Sequence, residues 1–404
     1  MKYKIIKNLL ILLFWFVSLI ITSVWTYENP EQIEKLKNNF KKIKKVKANS
    51  FNAEIAKILP LSTKSAFVLY EENLSEIEPS LIKIFTQDGF VIKNSQSKKI
   101  DLPKSFTTKK FGGLKTVFFH KDKTYGLISS NNKDCYYGSI VSLDSDYDFE
   151  YNFECLPDAN VNFNGLGSNS IHVDDKILLT IGTADRDRTK NSETAMDKNF
   201  HYGKIIQIDK KNLENKKIAL NIFSSGHRNP QGLTKVNKKI FSVEHGPKGG
   251  DELNEIIEGK NYGWPKVSYG TRYMTDNSGK SILINHEVNG FKEPLFALIP
   301  SVGISSVNKC PAVLKDYYKK NCLIALSMYG NALRPGKSII IFLLNENMDR
   351  VHSVEKIYFG KLDNLRFRHF VTNSKNELYE DKKGSIYVSA DYKGIYKITF
   401  TAFR

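Results

Sequence analysis

Cysteine is scarce in this sequence, and the few that occur are not arranged as a metal or redox motif. Only 4 cysteines are present among 404 residues, none forms a CxxC pair, and none has metal-like spacing against histidine. In an oxidising compartment, two local disulfides, Cys135 with Cys155 and Cys310 with Cys322, would each close a short loop. Four reduced, buried thiols are the alternative that composition leaves open.

Acidic residues are also in deficit, with 43 Asp and Glu against 60 Lys and Arg, which gives a formal net charge of +17. Such an excess is typical of proteins that bind nucleic acid or an anionic membrane. The lysines are mostly scattered, however, and the one dense run, Lys35 to Lys47, lies outside the strand-rich part of the chain. Because no nucleic-acid module motif accompanies that run, the sequence predicts no nucleic-acid partner.

Long apolar runs are lacking except at the N-terminus. The run from Leu9 to Trp25 is uncharged, follows three early lysines and precedes no A-x-A-like cleavage site. It therefore predicts an uncleaved transmembrane anchor over residues 1–26. Residues 27–50 predict a basic amphipathic linker helix, because apolar residues from Ile33 to Ile43 recur at three- to four-residue spacing. This helix would form a solvated stalk or lie on anionic lipid.

From about Phe51 onward, strand formers and short Gly, Asn and Asp turns dominate and indicate an all-β body. A loose repeat recurs in which a polar turn precedes an apolar strand that ends in a polar loop, as in residues 172–185, 235–247 and 379–391. Spacings of roughly 50 to 80 residues fit the four-stranded blades of a β-propeller. If the apolar strand lay innermost in each blade, the loops after it would converge at one end of a central channel. Independent sandwich domains would leave these loops far apart.

The most distinctive stretch runs from Gly226 to Tyr273. It contains the words GHRNPQGLT and EHGPKGGDELNEIIEGKNYGWPKVSYGTRY, which combine a basic residue, amides, glycine turns, an acidic pair and aromatic residues. A segment so rich in turn formers and polar side chains is typical of binding loops on a rigid scaffold. Within it, Arg228 offers a planar fork of donors for carboxylates, and Asn229 and Gln231 add amide donors and acceptors.

This wording resembles the glucose/sorbosone dehydrogenase family, whose members are soluble aldose dehydrogenases that use pyrroloquinoline quinone (PQQ) and calcium on a six-bladed β-propeller. The resemblance implies that residues 51–404 form such a propeller of four-stranded blades. It also places Arg228, Asn229 and Gln231 on positions that contact the cofactor. A polar turn that ends a strand is the alternative for these three residues.

A second basic motif, LRFRH, carries Arg366 and Arg368. The two arginines alternate with apolar residues, so both are expected to leave one face of a strand. The family places two arginines of a similar segment on the quinone, which implies cofactor binding here. The aspartate that follows them in the family is His369 in this chain. An exposed strand face is the alternative.

The segment EHGPKGGDELN resembles the calcium loop of the family. Four of its residues would supply the oxygen ligands that calcium prefers: Gly246, Pro247, Asp251 and Glu252. An acidic pair in a solvated turn is the alternative. In NYGWP, Tyr262 and Trp264 resemble the aromatic wall of the family's sugar pocket, although buried blade aromatics would also explain them.

Three positions that carry the family's chemistry are altered in this chain. The general-base histidine, which takes the proton from the anomeric hydroxyl, aligns with Asn164, and an amide has no useful basicity at neutral pH. The acidic residue that orients this histidine aligns with Thr183, and a gap of one or two residues would bring Asp185 or Asp187 into that role. A lysine that family members direct at the quinone aligns near Met328.

Two functions from different classes follow. The first is PQQ- and calcium-dependent oxidation of an aldose at the anomeric carbon to a lactone, with an unknown electron acceptor. The second is a catalytically impaired propeller that binds a sugar or an envelope partner, because Asn164 replaces the base. A membrane-tethered structural protein is a third. The secreted family and the paired cysteines predict an anchored protein on the periplasmic or extracytoplasmic side, although lysines behind the anchor favour the cytoplasm.

Overall fold

The computed structural model describes residues 51–71, 81–146, 148–185, 190–215, 218–271, 285–329, 337–359 and 365–402. Within these residues, twenty-four strands form six four-stranded antiparallel sheets. The predicted anchor over residues 1–26 and the basic linker over residues 27–50 lie outside the described residues, so both stay predictions. In the described part of the chain, no helix is long and apolar enough to cross a membrane.

Five sheets, blades I to V, each use four consecutive strands. Blade I has β2 (Ser65–Tyr70), β3 (Ile82–Thr86), β4 (Phe90–Lys93) and β5 (Gln96–Lys99). Blade II has β6 (Leu114–His120), β7 (Lys123–Asn132), β8 (Cys135–Ser142) and β9 (Glu150–Asn152). Blade III has β10 (Ser170–Val173), β11 (Lys176–Ile181), β12 (Lys204–Asp209) and β13 (Leu220–Ser225). Blade IV has β14 (Pro230–Val236), β15 (Lys239–Glu244), β16 (Asp251–Ile256) and β17 (Phe296–Leu298). Blade V has β18 (Ile304–Lys309), β19 (Cys322–Ser327), β20 (Ser338–Leu344) and β21 (Val351–Tyr358).

Blade VI joins the two ends of the described body. It consists of β22 (Phe367–Phe370), β23 (Ile386–Ala390), β24 (Gly394–Ala402) and, as its outer strand, β1 (Phe51–Pro60). Short helices lie in the connections of other blades: α1 (Lys190–Glu193), α2 (Lys210–Glu214), α3 (Ala312–Tyr318) and three 3₁₀ turns at Lys109–Phe111, Phe163–Leu166 and Glu287–Asn289. Pairing of β1 with β24 fastens the start of the body to its end.

The first strands of the blades form a closed ring. Each of β2, β6, β10, β14, β18 and β22 contacts the first strands of both neighbouring blades. Hydrogen bonds also join blades: Ser65 Oγ lies 2.8 Å from Ser389 Oγ, and Ser305 Oγ donates to Phe367 O at 2.8 Å. The predicted six-bladed propeller of four-stranded blades is therefore confirmed, and the sandwich alternative was wrong.

The repeated apolar strand is the second strand of its blade. The assumption from the sequence that this strand lies innermost was therefore wrong. β11, β15 and β23 each pair with the first strand on one side and the third on the other. Neighbouring blades cover both of their faces, which explains why these strands are buried almost throughout. Because the second strand runs antiparallel to the first, the loop after it opens at the end of the ring where the first strand begins. The loops therefore still converge.

A loop of blade VI links three other blades across the ring. Asn376 lies between β22 and β23, and its Nδ2 donates to Asn169 Oδ1 at 2.6 Å and to Leu233 O at 3.2 Å. Its backbone carbonyl accepts a hydrogen bond from Asn308 Nδ2 at 3.0 Å. These partners belong to the segments of blades III, IV and V, so one buried residue fixes their relative positions through its side chain and its backbone carbonyl.

Both predicted disulfides are present. Cys135 bonds to Cys155 in blade II, and Cys310 bonds to Cys322 in blade V. Each closes a short loop at a blade edge, with sequence separations of 20 and 12 residues. The alternative of four reduced thiols was therefore wrong for this fold.

Candidate functional site

A cavity of about 710 Å³ lies at the end of the ring where the first strands begin. Its lining combines residues just before or at the start of first strands with residues just after second strands. A groove of similar volume, about 700 Å³, lies beside α3 on blade V, and its lining contains none of the residues predicted from the sequence to form a site. The first cavity is therefore the candidate site.

Irregular strand starts shape the polar lining of this cavity. Register shifts interrupt the pairing of β2, β6, β14, β18 and β22 within their first few residues. A bulge leaves a residue out of the ladder and changes the direction of its side chain. Gln231 and Arg368 lie at such shifts, and both line the cavity. Simple alternation along the sequence does not reveal this arrangement.

Arg228 is buried in the cavity wall before β14. Its Nη1 donates to the carbonyl oxygens of His245 at 3.1 Å and Gly246 at 2.8 Å. The guanidinium carbon also lies 5.3 Å from the ring centroid of Trp264, a cation–π distance. These contacts hold the guanidinium in one orientation at the cavity.

Arg366 and Arg368 approach the cavity from blade VI, and both contact Asp391 from the loop after β23. Arg368 donates through Nε to Asp391 Oδ1 and through Nη2 to Oδ2 at 2.5 Å. Arg366 Nε lies 3.5 Å from Asp391 Oδ2, and its Nη1 donates to Met328 O at 3.2 Å. Both guanidinium groups therefore meet at the same carboxylate. His369, which stands where the family has an aspartate, is buried.

The two predicted amides form a chain of hydrogen bonds. Gln231 Nε2 donates to Asn229 Oδ1 at 2.8 Å, and Asn229 Nδ2 donates to the carbonyl of Asn164 at 3.2 Å. All three residues line the cavity. Asn164 lies on the 3₁₀ turn before blade III, and its side chain is exposed. Asn164, which the resemblance aligns with the family's general-base histidine, thus lies at the same cavity as the two amides.

Thr183 and Asp185 differ in what they contact. Thr183 is fully buried, is not part of the cavity lining, and donates through Oγ1 to the carbonyl of Arg228 at 3.2 Å. Asp185 lines the cavity and accepts a 2.6 Å hydrogen bond at Oδ2 from Ser192 Oγ. The preceding residue, Ala184, has a φ of +52°, a left-handed conformation that is unfavourable for a residue with a Cβ. This backbone turn directs the Asp185 segment across Gly165.

The four residues predicted to bind calcium have contacts of their own. Gly246 O accepts the hydrogen bond from Arg228. Asp251 Oδ1 accepts from Gly246 N, and Oδ2 accepts from the backbone N–H groups of residues 302–304 at 2.7 to 3.1 Å. These contacts do not fit a calcium ion held by the Asp251 carboxylate. No group of three or more His, Cys, Asp or Glu side chains in the described ranges could hold a metal.

Glu252 faces a second, smaller chamber, because it follows Asp251 along β16 and successive strand residues point to opposite faces. It pairs with Glu244 across the β15–β16 ladder, and both line this chamber. Burial raises the pKa of Glu252 well above its ordinary value, and the charge of Glu244 raises it further. Burial likewise raises the pKa of Glu244 to about 7. Protonation of one member relieves the repulsion between the two carboxyl groups.

The two aromatics predicted for a sugar pocket line the smaller chamber and not the main cavity. Tyr262 is buried, its ring lies 4.6 Å from that of His227, and its hydroxyl donates to Glu255 O at 2.6 Å. Trp264 is buried against the Arg228 guanidinium. Both residues therefore have the surroundings of buried blade aromatics, which is the alternative that the sequence left open. Their contact with a sugar stays a prediction.

Sequence reasoning missed Lys64 as a cavity residue and Asp391 as the partner of Arg366 and Arg368. Lys64 lines the cavity and directly precedes the first strand of blade I, as Arg366 directly precedes the first strand of blade VI. Asp391 follows the second strand of blade VI. The signal that finds both is positional: in each blade, residues before the first strand and after the second strand open at the cavity end.

The cavity has the chemistry that a planar, tricarboxylated quinone requires. Guanidinium groups suit carboxylates because two parallel N–H donors match two oxygens. The cavity presents Arg228, Arg366 and Arg368 together with the amides of Asn229 and Gln231. All five side chains that the sequence predicts for cofactor binding therefore meet in one cavity.

Comparison with known proteins agrees with the family resemblance seen in the sequence. The glucose/sorbosone dehydrogenase family model matches residues 93–390. Quinoprotein glucose dehydrogenase B of Acinetobacter calcoaceticus is 34% identical over 116 residues, covering 24% of each chain. Aldose sugar dehydrogenase YliI of Escherichia coli is 32% identical over 126 residues, covering 28% of this chain and 33% of that one. The matched stretches thus span only a quarter to a third of these curated relatives.

Solved structures extend the likeness over the whole propeller. The apo form of the soluble aldose sugar dehydrogenase from Escherichia coli has a TM-score of 0.62 and 16% identity, covering 87% of this chain and all of that one (100%). The PQQ-bound form of an aldose sugar dehydrogenase from Streptomyces coelicolor has a TM-score of 0.56 and 14% identity, covering 86% and 98%. At these identities the likeness concerns the fold alone.

Proposed function

The chain belongs to the glucose/sorbosone dehydrogenase family, and from this premise we propose that it oxidises an aldose sugar at the anomeric carbon to a lactone, with PQQ as its cofactor. The observation that carries the proposal is the meeting of Arg228 from blade IV with Arg366 and Arg368 from blade VI in one cavity. Calcium is part of the proposal through the Gly246–Pro247 turn, which belongs to the same lining. The sugar and the electron acceptor are not specified by these residues.

The arginines would hold the carboxylates of the cofactor. When bound, PQQ supplies an acceptor for two electrons, which is the chemistry that no amino-acid side chain provides. Arg366 has five N–H donors; among the described residues one donates to Met328 O, and Nε approaches Asp391. Its side chain is 42% exposed, so donors remain for a ligand carboxylate.

Asp185 is the proposed proton acceptor. Lactone formation removes a hydride from the anomeric carbon and a proton from its hydroxyl, and the proton needs a base at the cavity. Among the described residues, the carboxylates that line the cavity are those of Asp185 and Asp251. Asp251 accepts hydrogen bonds from backbone N–H groups, which stabilise its ionised form. Asp185 accepts a hydrogen bond from the Ser192 hydroxyl, and this bond can remain after Asp185 takes up a proton. This supports Asp185 in the place of the histidine that Asn164 replaces.

A direct test is turnover by the purified full chain. The protein is mixed with PQQ and calcium, a panel of aldoses is added, and reduction of the quinone or of an artificial dye is followed. We expect turnover with at least one aldose and none when PQQ is omitted. Tight PQQ binding without turnover for any aldose would overturn the dehydrogenase proposal.

A second candidate function, a binding propeller without catalysis, is favoured by one observation. The aligned base position carries Asn164, whose exposed side chain is an amide. In that case the cavity would hold a sugar or an envelope partner and the wild-type protein would not turn over. A dehydrogenase assay of wild type beside Asn164→His distinguishes the two functions.

The disulfides also bear on the cellular compartment of the propeller. The two disulfides, Cys135 with Cys155 and Cys310 with Cys322, support an oxidising compartment. We therefore keep the extracytoplasmic or periplasmic location, with residues 1–26 as anchor, 27–50 as linker and 51–404 as the propeller domain, as proposals. Protease protection in intact cells tests the location.

A further inference from the structure

We propose that Lys64 is an anion-binding residue of the main cavity, where its ammonium group contacts a carboxylate of the acidic ligand that Arg366 and Arg368 also bind. The identity of that ligand as PQQ rests on the proposed function. The binding of a carboxylate by Lys64 is a separate property of the cavity. No sequence motif marks this lysine.

The Lys64 loop is fastened to the blade that carries the two arginines. The backbone N–H of Tyr392 donates to Thr63 O at 3.0 Å. On the other side of Lys64, Ser65 Oγ lies 2.8 Å from Ser389 Oγ. The Lys64 ammonium lies 5.6 Å from the ring centroid of Tyr392. These contacts place the lysine at the junction of blades I and VI with its head group at the cavity.

Positive charge exceeds negative charge at this junction. Lys64, Arg366 and Arg368 interact with the single carboxylate of Asp391, so three cations share one anion. The pKa of Lys64 is lowered by burial and then by the charges of Arg368 and Arg366, while Asp391 acts in the opposite direction. A ligand with several carboxylates would relieve this repulsion, because an opposite charge within a few ångströms favours the charged form.

A fourth cation adds to the same positive field. Lys115 lies at the bulge of β6, and its Nζ donates to Phe111 O at 2.8 Å. Burial first, and then the charges of Arg368 and Lys64, lower its pKa to about 7. Lys115 does not line the cavity, so Lys64 is the lysine of this group that a ligand reaches.

Lys64 also accounts for a change at Met328. The family resemblance aligns a quinone-directed lysine near Met328, which is apolar and buried in the cavity lining. Arg366 bonds to the carbonyl of Met328, so the methionine adjoins the same cationic wall. The ammonium group of Lys64, from blade I, therefore adds a positive charge beside Arg366 to a cavity whose blade V position is apolar.

The test measures anion binding by the full chain and does not depend on turnover. Isothermal titration with PQQ and with benzene-1,3,5-tricarboxylate, which cannot be reduced as a quinone, gives the Kd at two salt concentrations. Loss of one charge-assisted hydrogen bond predicts that Lys64→Met weakens both ligands by about 10- to 100-fold. Lys64→Arg is expected to retain most of the affinity. Binding by Lys64→Met is also expected to be less sensitive to salt.

Lys83→Met is the matched control, because Lys83 lies in β3 of the same blade, 5.1 Å from the ring centroid of Phe85, and outside the cavity lining. It is expected to bind both ligands like wild type. Unchanged affinity in Lys64→Met, or an equal loss in Lys83→Met, overturns the proposal, as does a wild type that binds neither ligand. Lys64-dependent binding of the tricarboxylate without any binding of PQQ supports the role of Lys64 and overturns the proposed function instead.

Discussion

Arg368 and Asp391 form a two-armed ion pair beside the candidate site, with Arg368 Nη2 donating to Asp391 Oδ2 at 2.5 Å and Nε donating to Oδ1. The carboxylate is completely buried, with 0% of the side chain exposed. The pair joins the start of β22 to the loop after β23 and thereby orients the cavity arginines. Because the guanidinium is planar and donates through both Nε and Nη2, its orientation is fixed as well as its position.

Removal of this carboxylate is expected to destabilise the propeller. In Asp391→Asn the buried guanidinium of Arg368 loses its counter-charge, and breaking a buried pair typically costs about 3–5 kcal/mol. The free energy of unfolding at pH 7, measured by urea denaturation, should fall by this amount. PQQ binding should also weaken, because Arg366 and Arg368 lose their common partner.

Asp146→Asn is the control for this prediction. Asp146 pairs with Lys123 at 3.1 Å, but its side chain is largely exposed, and exposed ion pairs contribute little to stability. No measurable change in unfolding is expected. Equal unfolding curves for wild type and Asp391→Asn would contradict the structural importance of the Arg368 pair.

The contribution of Asp391 should disappear at low pH. Burial would raise the pKa of Asp391, but the charges of Arg368 and then Arg366 and Lys64 hold it below its ordinary value. A carboxyl with a depressed folded pKa contributes stability above its unfolded pKa, about 3.9, and loses it as the pH falls through the folded pKa. The difference in unfolding free energy between wild type and Asp391→Asn should therefore be constant from pH 7 to about pH 5 and shrink below about pH 4. A difference that grows as the pH falls below about 4 would contradict the depressed pKa.

The sequence predicts the propeller well because its signals are local. Apolar strands such as β11 and β15 recur with polar turns on both sides, and this pattern needs no knowledge of long-range contacts. The motif around Arg228 likewise identifies one wall of the cavity. The remaining site depends on bulges and on inter-blade contacts, which alternation does not encode. Asp391 is therefore invisible as the partner of Arg368, and Lys64 as a cavity residue, until the ring is closed.

Replacement of Asp185 should lower turnover without loss of cofactor binding. A positioned base contributes about 10²- to 10⁴-fold to a rate, so Asp185→Asn should reduce kcat by that range. The PQQ Kd should be unchanged, because the proposed carboxylate-binding groups are the arginines, and Asp185 is held in place by Ser192. Asp197→Asn, an exposed position outside the cavity lining, is the control. A kcat within threefold of wild type would exclude Asp185 as the proton acceptor.

Restoring an imidazole at the aligned base position should raise activity. Asn164 is exposed at the cavity, so Asn164→His introduces a base with an ordinary pKa of about 6.5 without displacing a packed side chain. We expect kcat to rise by at least about 10-fold at pH 8, and less at pH 5.5, where the imidazole is protonated. Asn164→Gln serves as the control for side-chain size. If the histidine variant gains nothing, loss of the base does not limit turnover.

Calcium is expected to raise the thermal midpoint, because a ligand that binds the folded state stabilises it. The smaller chamber offers the facing carboxyl groups of Glu244 and Glu252 beside the Gly246–Pro247 turn. A divalent cation bound between them would replace the proton that relieves their repulsion. Glu252→Gln should remove most of the rise, whereas Glu258→Gln, at an exposed turn position, should retain it. Magnesium at the same concentration should have a smaller effect, because it requires a tighter octahedral site. No rise in wild type would exclude calcium but not PQQ, since Arg366 and Arg368 line the main cavity and not the chamber of the carboxyl pair.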